Sequence, residues 1–182
     1  LALVTDDESG SGARPQFGFN DLSVTPRTVD GGPLVIANLD DTVFEDFNTL
    51  QGTGFASPTD PGQLDSEAFI ARGLSDGDLD FGDAATTGDF ARGTSTGGVT
   101  TGGIYAFEVG TDDFAWGVQP AGSGDNFTPG SFVARYLNDT GETITDVALG
   151  YDIEVFNDQD RSSSFNLAYK VTDEEPFSDS DF

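Results

Sequence analysis

The side chains best suited to chemistry in this chain are closely spaced carboxylates. Asp76, Asp78, Asp80 and Asp83 occur in the run Ser-Asp-Gly-Asp-Leu-Asp-Phe-Gly-Asp. Hard cations such as Ca²⁺ take about six to eight oxygen ligands from loops of this kind. The run lacks the spacing and the closing glutamate of an EF-hand. Because acidic clusters also arise by chance in an acid-rich chain, the run predicts either a Ca²⁺ site or a solvated surface.

Asp158 and Asp160, in a predicted tight turn, form a weaker candidate for the same ion. Two carboxylates could also serve a glycoside hydrolase or lyase, but such an enzyme needs them on either side of a cleft, one with a raised pKa. The chain has no histidine and no cysteine, so it holds neither the base of a serine triad nor an imidazole or thiolate ligand. We therefore predict that the protein is not an enzyme.

Four aromatic residues are candidates for stacking on a sugar: Trp116, Tyr105, Tyr136 and Tyr151. Aromatic side chains in alternating strand patterns either pack in the core or present a ring at the surface. Two small residues flank Trp116, which is compatible with the floor of an exposed groove. The sequence leaves both interpretations open, a core position or a saccharide platform.

The charge of the chain restricts its partners and its environment. Thirty-three acidic residues stand against seven basic ones, a formal net charge of −26. Compaction brings these charges together, so folding requires screening by salt, bound cations or a cationic partner. Phosphate binding needs a basic face, which excludes nucleic acid, and no apolar run approaches the roughly 20 residues of a membrane span. The composition is typical of a salt-adapted protein, with an ordinary acidic secreted protein as the alternative.

The elements that would position these residues are β-strands. Glycine and proline recur at short spacing between apolar alternations, and no stretch has a helical period. This pattern predicts an all-β fold, a two-sheet antiparallel β-sandwich of jelly-roll type, in residues 34–182. Residues 26–33 are a predicted linker. Strands are expected at 42–50 and 68–74. One hairpin is expected at 104–119, with its turn at Gly110-Thr-Asp-Asp, and another that pairs 144–156 with 164–171.

The runs Val43-Phe-Glu-Asp-Phe-Asn-Thr-Leu50 and Ser131-Phe-Val-Ala-Arg-Tyr-Leu-Asn-Asp-Thr-Gly-Glu, together with residues 151–170, resemble exported β-sandwich modules of Bacteroidetes surface proteins. Those modules are similar to jelly rolls of the lectin or carbohydrate-binding type. The resemblance covers about residues 40–171. It implies a β-sandwich fold and an extracellular or cell-surface location, and it implies little about chemistry.

The first 25 residues resemble the closing strand pair of such a module, which in that family comes last. They are the end of a preceding module in a longer array, or strands that complete this domain or a neighbouring copy, or an ordinary first hairpin. An incomplete sandwich leaves sheet edges that invite strand addition.

The sequence therefore predicts a non-catalytic structural or adhesive module of an exported protein, with homotypic contacts to copies of itself or to neighbouring modules. A carbohydrate-binding module with a structural Ca²⁺, and a polysaccharide as partner, is the alternative. A glycoside hydrolase or lyase is the third and least favoured hypothesis.

Overall fold

The computed structural model describes residues 32–122, 126–156 and 164–173, and the backbone alone of residues 2–7, 16–20 and 163. These ranges confirm the all-β prediction, since their only helical segment is the 3-10 turn Gly88–Phe90. Their strands are β1 (Ala2–Asp7), β2 (Gln16–Asn20), β3 (Leu34–Ile36), β4 (Phe55–Ala56), β5 (Leu64–Asp65), β6 (Phe69–Arg72), β7 (Thr94–Ser95), β8 (Gly103–Gly110), β9 (Asp113–Gln119), β10 (Gly130–Ala134), β11 (Tyr136–Asn138), β12 (Asp152–Phe156) and β13 (Ser163–Ala168).

A five-stranded sheet has the order β12-β2-β9-β8-β7. Its centre is the predicted hairpin β8–β9, in which Ala106 lies opposite Trp116 and the register shifts between Glu108 and Gly110. Asp112 closes the turn at a φ of 56°. A polar residue with a short side chain tolerates this left-handed conformation, so the Gly-Thr-Asp-Asp signal correctly located the hairpin.

A four-stranded sheet has the order β13-β1-β10-β6, with antiparallel neighbours throughout. Three further pairs are parallel, namely β7 with β8, β3 with β11 and β4 with β5. The prediction of purely antiparallel sheets was therefore wrong. Alternation along a strand reports which faces are apolar, but strand direction depends on how the connecting loops return.

The two larger sheets contact one another through aromatic side chains. Trp116 on β9 is only 3% exposed, and its ring centroid lies 4.3 Å from that of Phe132 on β10 and 5.6 Å from that of Phe69 on β6. Phe47 and Phe55 complete the cluster at 6.0 and 5.9 Å from Trp116. These spacings are typical of favourable edge-to-face aromatic packing.

The predicted strand at 42–50 is a loop, although its apolar residues Val43, Phe47 and Leu50 are buried as strand residues would be. Side chains in the segment bond their own backbone instead, since Phe47 N–H donates to Glu45 Oε1 and Asn48 N–H to Asp46 Oδ1. Such local bonds compete with a strand ladder. Phe47 has a φ of 55°, which is incompatible with an extended chain.

The predicted hairpin between 144–156 and 164–171 was also wrong. Strand β12 pairs with β2 and strand β13 with β1, so the two segments belong to different sheets. Only residues 152–156 of the first segment form a strand. Alternation correctly marked both segments as extended, but the partner of each strand depends on residues more than a hundred positions away.

Strands β1 and β2 pair within their own chain. In the four-stranded sheet β1 lies between β13 and β10, and in the five-stranded sheet β2 lies between β12 and β9. The N-terminal strands thus connect β12 and β13 to the central strands β9 and β10. Most of the predicted linker, residues 26–33, lies outside the described residues.

Candidate functional site

Three of the four aspartates in the predicted cation run each contact a different partner. Asp76 Oδ2 accepts the N–H of Asp89 at 2.8 Å, and Asp78 Oδ1 accepts the N–H of Gly73 at 2.9 Å. Asp80 forms an ion pair with Arg72 at 2.8 Å. Asp83 is exposed. The alternate carboxylates are therefore used to fix the loop and do not converge.

No group of three or more acidic side chains suited to a metal ion occurs in the described part of the chain. The second candidate pair, Asp158 and Asp160, lies outside the described residues. The one deeply buried carboxylate of this region is Asp89, which accepts bonds from the Ser75 hydroxyl and the Arg92 guanidinium. A buried charge that is paired and hydrogen-bonded in this way is a structural cross-link.

Two of the four predicted sugar-stacking residues lie in the core. Trp116 is enclosed by Phe47, Phe55, Phe69 and Phe132, as described above, so its ring has no face toward solvent. Tyr105 is also buried, and its hydroxyl donates to the carbonyl of Thr101 at 2.9 Å. Neither residue can form a surface platform, because the alternation that suggested exposed rings equally describes the inner face of a sheet.

The other two, Tyr136 and Tyr151, are partly buried and pack against the core cluster. The Tyr136 hydroxyl is buried and makes no hydrogen bond within the described residues. Burial, and secondarily the charge of Glu45, raises the pKa of the Tyr136 phenol. This hydroxyl therefore stays protonated over the physiological pH range.

Glu45 is a half-buried carboxyl near this tyrosine. Burial raises the pKa of the Glu45 side chain and the charge of Asp46 adds to this, while the bond from the Phe47 N–H opposes the shift. A raised pKa is a property of acid catalysts. Glycoside hydrolysis additionally needs a second carboxyl across a cleft. The adjacent Asp46 does not meet this need, because it lies in the same loop and its carboxylate accepts the Asn48 N–H.

An open groove of about 820 Å³ lies beside the five-stranded sheet, at a place that the sequence did not indicate. Its walls come from the loop that contains Phe47, the loop before β5, the start of β7 and the start of β9. Amide, hydroxyl and apolar side chains dominate the lining, which consists of Asn48, Thr49, Leu50, Gln51, Thr59, Asp60, Pro61, Gly62, Gln63, Thr94 and Phe114.

Strands β12 and β13 form a second candidate site, because each is the outermost strand of its sheet among the residues that the structure describes. Ile153 and Trp116 both lie opposite residue 19 of β2, and Leu167 and Phe132 both lie opposite residue 3 of β1. Residues aligned across strands share a face. Ile153, Val155 and Leu167 therefore occupy the same sheet faces as the core aromatics.

Unlike those aromatics, they are open to solvent. Val155 is 53% exposed and Leu167 is 48% exposed, and Ile153 and Tyr169 are exposed as well. We refer to Ile153, Val155, Leu167 and Tyr169 as the apolar margin. Surface apolar residues that continue a core face mark a contact surface more often than scattered ones do.

No family model, no curated protein and no solved structure matches the chain. The described residues include no helix with the length and apolar character that a membrane crossing requires. The comparisons therefore assign no function to the chain, and a proposal depends on its own residues.

Proposed function

We propose that this chain is a non-catalytic structural module of an exported surface protein or extracellular assembly, and that it associates with other copies of itself through a sheet edge. In this proposal the two larger sheets form a β-sandwich of jelly-roll type, as the apolar alternation predicts, and the contact is made by β13. Export is proposed from the acidic composition and from the resemblance to exported modules.

The observation that carries the proposal is the character of β13. In a chain in which 33 of 182 residues are acidic, this six-residue strand, Ser-Ser-Phe-Asn-Leu-Ala, has no charge, no proline and no glycine. Natural proteins usually protect edge strands with charges, prolines or bulges, because an unprotected edge pairs with another chain. Such a strand at the end of a sheet is therefore suited to strand addition.

The same strand favours a second copy of the chain as the partner. Two β13 strands related by a two-fold axis pair antiparallel, and the contact is then self-complementary. No like charges come into register in such a pair. Strand β12, with Asp152 and Glu154, would place acidic side chains of the two copies close together, which is unfavourable. We therefore assign the homotypic contact to β13.

The net charge of −26 makes this association dependent on salt. The electrostatic repulsion between two copies extends over about 10 Å at 0.1 M salt, and over only about 3 Å at 1 M salt, because salt screens the charges. We expect a monomer in dilute buffer and a dimer or larger assembly in concentrated NaCl.

Sedimentation velocity at low and high NaCl tests the proposal. Leu167→Lys places a charge on the apolar margin and should leave the protein monomeric at both salt concentrations. Leu39→Lys is the matched control, because Leu39 is 55% exposed in a turn remote in sequence from β13 and should leave association unchanged. A protein that is monomeric at every salt concentration, or equal behaviour of the two variants, would contradict the proposal.

Saccharide binding is the second candidate function. The residues first considered for it do not form a surface, since Trp116 and Tyr105 are in the core. The open groove is the specific observation that favours this candidate.

A further inference from the structure

We propose that the open groove lined by Asn48, Gln51, Gln63 and Phe114 binds a segment of a neutral polysaccharide. The inference concerns a different surface from the apolar margin and does not rest on self-association. Three properties of the groove carry it: its charge, its hydrogen-bonding groups and its aromatic residue.

The groove carries little charge in a highly acidic protein. Asp60 is the only ionisable side chain among its eleven lining residues. A single carboxylate does not supply the oxygen ligands that Ca²⁺ requires. An anionic ligand would be repelled by the field of the whole chain, and it would find no basic side chain in the groove. The ligand is therefore a neutral polar molecule.

The polar side chains of the groove offer donors and acceptors together. The side-chain amide of Gln51 is exposed and has no hydrogen bond within the described residues. The oxygens of the other two amides are held, because Asn48 Oδ1 accepts the Phe114 N–H at 3.4 Å and Gln63 Oε1 accepts the Asp60 N–H at 2.8 Å. Each leaves an NH₂ group with two donors. Sugar hydroxyls both donate and accept, so they match this mixture.

Phe114 supplies an apolar surface within the same groove. It is partly buried and packs against the core cluster, which holds the ring in place while part of it remains accessible. A pyranose has an apolar C–H face and a polar rim, and it needs an aromatic or apolar surface beside hydrogen-bonding groups. The combination of Phe114 with three amides meets this requirement.

The wall of the groove that carries Gln51 is held in place by Gly62. The Gln51 N–H donates to the Gly62 carbonyl at 2.9 Å, and a Cβ at position 62 would lie 2.7 Å from Gln51 Cβ. Gly62 has a φ of 87°, a conformation that other residues rarely adopt. A wall fixed before binding loses less entropy when a ligand binds.

Affinity electrophoresis through gels that contain a soluble polysaccharide tests the inference. Laminarin, galactomannan and xyloglucan are the neutral probes, and alginate is the acidic probe. We expect at least one neutral probe to retard the native protein and alginate not to do so. Gln51→Ala and Phe114→Ala should each weaken the retardation by about threefold to tenfold, as the loss of one hydrogen bond or contact predicts.

Thr53→Ala is the matched control, because Thr53 is exposed next to the groove but does not line it. Gln51 is also exposed, so its variant should fold normally, and thermal unfolding of Phe114→Ala shows whether that variant is folded. Leu167→Lys should bind as the native protein does, which separates this site from self-association. The inference is overturned if no neutral probe retards the protein, if alginate binds equally well, or if both groove variants bind like Thr53→Ala.

Discussion

The surroundings of Trp116 and the apolar margin lie on the same faces of the two larger sheets, but the first region is buried and the second is exposed to solvent. Around Trp116, rings from β4, β6, β10 and the loop that contains Phe47 exclude solvent. At β12 and β13, residues in register with those core positions remain half exposed. The difference shows that alternation selects the face on which an apolar residue lies, whereas its burial depends on a covering loop.

Deletion of residues 1–25 is the change with the largest expected effect on this comparison. Strands β1 and β2 are the only described neighbours of β13 and β12, so their loss should separate the apolar margin from the core. We expect amide hydrogen-exchange protection of β12 and β13 to fall by orders of magnitude, while the hairpin β8–β9 retains its protection. A synthetic peptide of residues 1–25 should restore it, and unchanged protection after the deletion would contradict the observed strand order.

The next largest expected effect is the loss in free energy of unfolding when a cavity is made in the buried region around Trp116. Phe55 is fully buried and its ring contacts those of Phe90 and Trp116. Phe55→Ala should lower the free energy of unfolding by about 3–5 kcal/mol, measured by urea denaturation in high salt. Leu39→Ala, at an exposed turn, should cost less than about 0.5 kcal/mol. A loss below about 1 kcal/mol for Phe55→Ala would mean that the aromatic cluster is loosely packed.

A smaller effect is expected from truncation within the apolar margin. Leu167 lies on the same face as Phe132 but is half exposed, so Leu167→Ala removes little apolar area from the folded monomer. We expect a loss of about 1 kcal/mol or less in low salt, where the proposal of salt-dependent association predicts a monomer. The loss should grow in high salt if β13 is covered by a second copy. A cost as large as that of Phe55→Ala would mean that the margin is already covered.

The smallest predicted effect is that of Glu45, near the buried region around Trp116, on the pH dependence of the free energy of unfolding. Burial raises the pKa of Glu45 in the folded state above its usual value of 4.5. Between the pKa of Glu45 in the unfolded state and its higher pKa in the folded state, the folded protein keeps a proton that the unfolded chain releases. The free energy of unfolding therefore falls as the pH rises through that interval. Glu45→Gln should therefore increase the free energy of unfolding at pH 7 and have little effect at pH 3. Glu108→Gln, on an exposed position of β8, is the control for the loss of one carboxylate charge.

The structure supports the sequence-based predictions where the signal was local. The β8–β9 hairpin was located by its Gly-Thr-Asp-Asp turn, and the strand expected at 68–74 is present as β6. Phe47 was recognised as apolar, but its left-handed backbone was not predicted, because that conformation depends on tertiary packing. The groove was missed entirely, since its residues come from four separate segments whose proximity no spacing in the sequence reports.

The amino-acid sequence by itself determined the all-β character, the acidic surface and the faces on which apolar residues lie. These properties follow from side-chain alternation, turn chemistry and charge, all of which act over a few residues. Only the tertiary structure decided that Trp116 is enclosed, that the aspartates 76–80 bind separate partners and that β12 and β13 belong to different sheets. Those outcomes depend on which distant segments pair and on which loops cover them, and the free energies of alternative pairings differ through long-range packing.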